Sequence, residues 1–388
     1  MGERVYLDWN ATAPLRAEAR AAIIAAADVV GNPSSIHGEG RAARGLIETA
    51  RRQVADLVGA QPRNVVFTSG GTEANLLALS PALECEADRA PRDRLLISAI
   101  EHPSVRCGGR FPAGSVEEVP VGADGRVDLE ALERRLAAGG RPLVSIMLAN
   151  NETGIVQPIA EAAAMVHARG GLLHVDAVQA AGKIPCDIEA LGADLLTLAA
   201  HKLGGPKGVG ALVKRAEELH LADPLIKGGG QERGSRGGTE NVAGIAGFGA
   251  AAAAALGALE TERGRIFGLR EAAETGLRAI SPGVLVFGAA GERLPNTTMF
   301  AVPGVKADTA LIALDLDGIA VSSGSACSSG KVAASHVLAA MGVEAALARG
   351  AIRVSMGFST TEEDVKSLLA AWNKLVSALP RGIDGIAA

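Results

Sequence analysis

Lys202 stands just beyond the apolar run Leu195-Leu196-Thr197-Leu198 and opens onto a glycine-rich turn, in AAHKLGGPKG. Lysine is uncommon at the end of a buried run, since most lysines lie on exposed faces. One held there has a lowered pKa and can form a Schiff base with an aldehyde. Asp176 ends another apolar run, in LLHVDAVQ. A carboxylate at that place needs a cation, such as a protonated pyridine nitrogen, or serves as a helix N-cap. After Val65-Val66-Phe67-Thr68 comes Ser69-Gly70-Gly71-Thr72. A helix starting there offers free N–H groups and a dipole to a phosphate, or is simply capped by Thr72. Phosphate turn, carboxylate and amine are together the parts that hold pyridoxal phosphate. A further candidate is Cys327, in SSGSACSSG, where no neighbour has a large side chain. Either the stretch is loop filler, or it carries a nucleophilic thiol that must occupy two positions.

These residues need a frame that brings strand ends together. Val65–Thr68, Leu95–Ser98, Leu143–Ile146, Leu172–Val175, Leu195–Leu198 and Gly210–Val213 read as buried strands between helical segments. Near-continuous apolar strands alternating with helices indicate a parallel α/β sheet covered on both faces, with ligands at the carboxyl ends of its strands. Lys202 follows Asp176 by about one strand–helix–strand step, so both reach the same sheet edge. After residue 260 the pattern changes. A helical stretch over Glu260–Ala279, a strand at Thr297–Val302, a helix near Asp308–Leu316, the cysteine loop, a strand at Ala351–Ser355 and a last helix from Thr361 suggest a small α+β domain.

Composition narrows the function classes. The 388 residues carry a net charge of −5, which argues against a duplex nucleic-acid partner. At 48% hydrophobic but 3% aromatic, the core must be built from Ala, Val, Leu and Ile. Cys85, Cys107, Cys186 and Cys327 are far apart and form no CxxC pair. Neither a zinc framework nor a disulfide scaffold is expected, so no metal is assigned, and a reducing, cytoplasmic setting fits best. The N-terminus has no apolar signal core. Asn241–Leu259 contains no charge and has about the length of a membrane span. Its alanines and glycines favour a buried, closely packed helix, and no membrane partner is expected.

The motifs TSGGTEAN, EHPSV, NNETGIVQPI, HVDAVQAAGK, AHKLGGPKG, GGGQERGSRGGTEN, SSGSACSSGK and AIRVSMG follow one another from Tyr6-Leu7-Asp8 to the last helix. This series resembles the cysteine desulfurases, dimeric fold-type I pyridoxal phosphate enzymes of the class V aminotransferase group. The SSGSACSSG loop resembles their long-loop, NifS/IscS-like branch. The resemblance implies a large domain over 15–258 with a mostly parallel seven-stranded sheet. It places residues 1–14 and 259–388 in a small α+β domain carrying Cys327.

Residue by residue, the resemblance makes Lys202 the Schiff-base lysine, Asp176 the partner of the ring nitrogen and Gln179 that of the ring hydroxyl. His102 would stack on the ring and assist proton transfer, with Asn151 beside the cofactor. Gly71, Thr72 and His201 would contact its phosphate, and Thr239 would reach the phosphate of the other subunit. Arg353 would bind the substrate carboxylate with Asn32 nearby, and Cys327 would be the nucleophile. One position departs from the pattern: Ala199 stands where the family usually has a serine that bonds the phosphate. The activity implied is conversion of L-cysteine to L-alanine, with sulfur passing to Cys327 and then to an acceptor such as an iron–sulfur scaffold. The alternatives are another lyase or aminotransferase of this fold, selenocysteine lyase among them, and a non-catalytic assembly partner.

Overall fold

The computed structural model describes residues 4–85, 89–324 and 335–378, so Cys327 lies outside the described residues. Its main sheet has seven strands: β1 (Val65–Thr68), β2 (Arg94–Ser98), β3 (Val116–Val119), β4 (Pro142–Met147), β5 (Leu172–Asp176), β6 (Leu195–Ala199) and β7 (Gly210–Lys214). They lie in the order β1-β7-β6-β5-β4-β2-β3. The run from β6 to β3 is parallel throughout, while β7 is antiparallel to both of its neighbours. β1 therefore points the same way as β6, and its carboxyl end reaches the same edge. β4, β5 and β6 are buried at every position, which is why they read as continuous apolar runs.

β3 is the strand absent from the run of apolar segments. Its sequence, VEEV, is half charged because it forms one edge of the sheet, where Glu117 pairs with Arg94 and Glu118 with Arg106. Charge at an edge blocks pairing with other strands, at the cost of the apolar signature.

A second, antiparallel sheet consists of β8 (Leu285–Val286), β9 (Thr297–Ala301), β10 (Ser322–Ser323) and β11 (Ile352–Ser355), ordered β8-β9-β11-β10. Its core gathers Phe300, Ile352, Val354 and Trp372, with Phe300 meeting Trp372 edge-on at 5.2 Å between ring centroids. The alanine-rich run and the helical stretch after residue 260 form one helix of 39 residues, Val242–Ile280. The boundary expected at 258/259 falls inside it. The first half packs in the core of the main sheet through Phe248, Ala251 and Ala255, and the second joins the smaller core through Leu269 and Leu277. The helix is long and apolar enough to cross a membrane, yet half of its most apolar window is buried within the protein. At the C-terminus, Thr361 and Asp364 exchange bonds in a reciprocal cap ahead of the Glu362–Ala378 helix.

Candidate active site

A cavity of about 340 Å³ opens at the carboxyl edge of the main sheet. It brings together Gly71, Thr72, His102, Asn151, Asp176, Gln179, His201, Lys202 and Arg353. The topology explains the convergence. Asp176 ends β5, and Lys202 closes a tight helical turn directly after β6, the next strand. His102 follows β2, and Gly71 starts the Gly71–Ala78 helix after β1. Arg353 comes from the opposite side, on β11 of the small sheet.

Asp176 is nearly buried, and its carboxylate accepts hydrogen bonds from two neutral donors, Asn75 Nδ2 at 2.8 Å and Val178 N at 3.0 Å. Lys202 Nζ donates to the carbonyls of Asn10 and Ala11, at 2.5 and 2.9 Å. Gly70 occupies the N-cap of the Gly71–Ala78 helix, and no side chain caps it, so its first N–H groups are not taken up by a capping bond. A Cβ on Gly71 would come within 3.0 Å of Val178 Cγ2. An uncapped helix start, an aspartate whose two described hydrogen-bond donors are neutral and an amine in the same cavity fit a phosphorylated aldehyde with a protonatable ring nitrogen.

His102 caps the short Pro103–Arg106 turn by accepting from Ser104 N, and the same Nδ1 lies 2.7 Å from Ser104 Oγ. With Nδ1 taken by two donors, the proton of the neutral ring sits on Nε2. Burial, reinforced by the Lys202 charge, holds its pKa below the ordinary histidine value against the pull of Asp176. Burial and the nearby lysines Lys202, Lys207 and Lys183 push His201 down to about 4, so it is neutral at pH 7. Arg353 donates to Asn151 O at 3.0 Å and to Asp8 Oδ1 at 2.7 Å, while its buried Nε has no hydrogen-bond partner among the described residues. It is therefore both a salt-bridge former and a cavity wall.

Two expected residues fall elsewhere. Asn32 is exposed, turns its Oδ1 onto Ser34 N and does not line the cavity. Thr239 lines a separate cavity of about 260 Å³ with Thr68, Ser69 and Arg236.

Other residues of the site carry no assignment from sequence. Asn10 is a hub: its carbonyl accepts from Lys202 and Gln179, while its side chain reaches Asn151 O, Thr297 and Asn296. Asn75 bridges Asp176 and Ser104. Lys183 donates to Gln179 Oε1 at 3.0 Å, and burial together with the charges of Lys202 and Arg353 lowers it to about 7. The only hint of these roles was position, since Asn75 and Lys183 lie inside the TSGGTEAN and HVDAVQAAGK motifs.

This sheet with lysine and aspartate at adjoining strand ends defines a fold-type I α/β transferase. The family model for aminotransferase class-V matches residues 5–368. A cysteine desulfurase of Cereibacter sphaeroides is 43% identical over 97% of both chains. The cysteine desulfurase IscS of Dictyoglomus turgidum is 39% identical over 98% of this chain and 96% of its own. A NifS-like protein from Rickettsia africae superimposes with a TM-score of 0.87 at 38% identity, covering 97% of this chain and all of the other. The chain belongs to the aminotransferase class-V family, within its cysteine desulfurase group. Enzymes of this family generally depend on pyridoxal phosphate.

Proposed function

We propose that this chain holds pyridoxal 5′-phosphate and takes sulfur from L-cysteine, leaving L-alanine and a persulfide on Cys327. One observation carries the reading: Asp176 and Lys202 project from neighbouring strand ends into one cavity whose far wall is Arg353. Lys202 would bind the cofactor aldehyde, Asp176 its ring nitrogen, Gln179 its ring hydroxyl, and Gly71, Thr72 and His201 its phosphate. The bound cofactor would supply an electron-withdrawing ring that stabilises negative charge at the substrate Cα.

The protein's own groups do the rest. Arg353 orients the substrate carboxylate through its planar fork. Lys202 Nζ takes and returns the Cα proton. His102 stacks on the ring beside Asn151 and offers its Nε2 proton. The Cys327 thiolate attacks the substrate sulfur, the Cβ–S bond breaks, Cβ gains a proton, and a disulfane S–S bond forms on Cys327. L-Cysteine and one thiol thus become L-alanine and one persulfide. The persulfide would pass to an acceptor such as an iron–sulfur scaffold, in a reducing, cytoplasmic setting. A homodimer would place Thr239 against the partner subunit's phosphate site, with Asn32 near the substrate carboxylate.

The test is alanine formation from L-cysteine by cofactor-loaded protein beside Cys327→Ala. Alanine from the wild type and almost none from the variant supports desulfuration with Cys327 as acceptor. Equal alanine from both would move the chemistry off Cys327. None from either would turn attention to selenocysteine or other amino acids, and a protein that takes up no cofactor would favour a non-catalytic role.

A further inference from the structure

Glu152 is a buried acid to which neither the fold nor the proposed chemistry assigns a task. It follows Asn151 in the cavity wall and sits in a turn that Asn150 holds rigid. Asn150 Oδ1 accepts from the N–H groups of Glu152 and Thr153, and its Nδ2 donates to Ile100 O. The carboxylate faces the small sheet. Its Oε2 accepts from Ser335 Oγ at 2.5 Å. Ser335 Oγ is meanwhile the N-cap of the His336–Ala340 helix, accepting from Leu338 N at 3.0 Å, so its hydroxyl proton goes to Glu152. The same Oε2 lies close to Gly324, where a Cβ, were one present, would stand 2.5 Å from it and 2.4 Å from Met299 Cε. Gly324 leaves β10, whose Ser322 is in register with Arg353. One residue beyond Ser335, His336 Nε2 lies 3.0 Å from the carbonyl of Glu101, next to His102.

Gly324 and Ser335 are the described residues on either side of Cys327 in the chain. A single carboxylate oxygen therefore holds Ser335 by a hydrogen bond and leaves no room for a side chain at residue 324. We propose that Glu152 is a positioning residue for sulfur transfer: it ties Ser335 to the cavity wall close beside Gly324, and so fixes the described residues that flank Cys327 in the chain. Burial pushes the Glu152 carboxyl up to about 7, although the Ser335 bond and the Arg353 charge draw it down. An acid kept at that cost is better explained by the contact it makes than by stability.

The inference rests on the reading of Cys327 as sulfur acceptor, so the experiment separates two steps. Single-turnover reactions of the cofactor-loaded enzyme are followed for exchange of the cysteine Cα hydrogen with solvent and for persulfide on Cys327 by mass spectrometry. In Glu152→Ala, hydrogen exchange and the KM for cysteine should stay as in the wild type, while persulfide formation slows by about tenfold or more, the size expected when a reacting group is displaced by a fraction of an ångström to an ångström. Glu152→Gln keeps an acceptor for Ser335 and should recover most of that rate. Equal slowing of both steps in Glu152→Ala, no slowing of either, or failure of Glu152→Gln to recover the rate would overturn the proposal. A wild type that exchanges the Cα hydrogen yet forms no persulfide would instead sink the assignment of Cys327, and the role of Glu152 with it.

Discussion

Ala199 shows how one missing atom can be weighed at the scale of a residue. It ends β6, is nearly buried and lines the cavity, and its Cβ lies 3.5 Å from where a Cβ on Gly71 would stand. A hydroxyl there would face the helix start that we assign to the phosphate. A hydrogen bond to a charged group contributes about 1.5–3 kcal/mol. Ala199→Ser should therefore lower the cofactor dissociation constant by roughly tenfold to a hundredfold, measured by titrating apoprotein with pyridoxal phosphate. An unchanged constant would mean that position 199 does not face the phosphate. At this scale the chemical residues were readable, because a lysine or aspartate at the end of an apolar run is conspicuous. Asn10, Asn75 and Glu152 were not, since ordinary loop or helix residues gain roles only from partners distant in sequence.

His174 belongs to the scale of the element. It lies in the middle of β5, fully buried, and its ring joins Ser145 of β4, at 2.8 Å from Nδ1, to Thr197 of β6, at 2.9 Å from Nε2. Burial pushes its pKa down to about 4, with Asp176 opposing. The unfolded chain thus binds a proton near pH 6.5 that the folded chain refuses until about pH 4. This contribution to stability is fully present above pH 6.5 and is lost as pH falls toward 4. It amounts to roughly 3 kcal/mol across that window. His174→Asn should show a shallower fall in unfolding midpoint between pH 7 and 4 than the wild type, whatever its stability at neutral pH. Identical slopes would mean that His174 is already charged in the fold. The strand itself was legible as an apolar run, whereas the edge strand β3 was hidden by its charges. The fusion of two helical stretches into Val242–Ile280 was hidden too. No Pro separates them, but the change from uncharged to charged residues at Glu260 reads as a boundary, and only the two cores show that one helix serves both.

The whole molecule leaves part of the expected site outside its own cavity. Thr239 lines a different cavity and Asn32 is exposed, close in sequence to Val30 and Ile36, which are 82% and 90% exposed. Apolar side chains so exposed beside expected site residues suit a second copy of the chain. Sedimentation at micromolar concentration should give twice the chain mass, and Thr239→Val should weaken cofactor binding without altering that mass. A monomer that binds the cofactor as tightly as the dimer would refute the shared site.

By itself the sequence determined the α/β class, the order of the buried strands and the identity of the residues at their ends. Those are local facts, written in apolar runs and the polar residue that stops each one. Only the tertiary structure decided which ends meet. Asp176 and Lys202 share a wall because β5 and β6 are adjacent, and Arg353 faces them because Asn10 ties the small sheet to the large one. It also decided that Glu152 bonds Ser335 and lies close to Gly324. Such meetings join residues up to hundreds of positions apart, and they form only when burial of two cores brings the segments together.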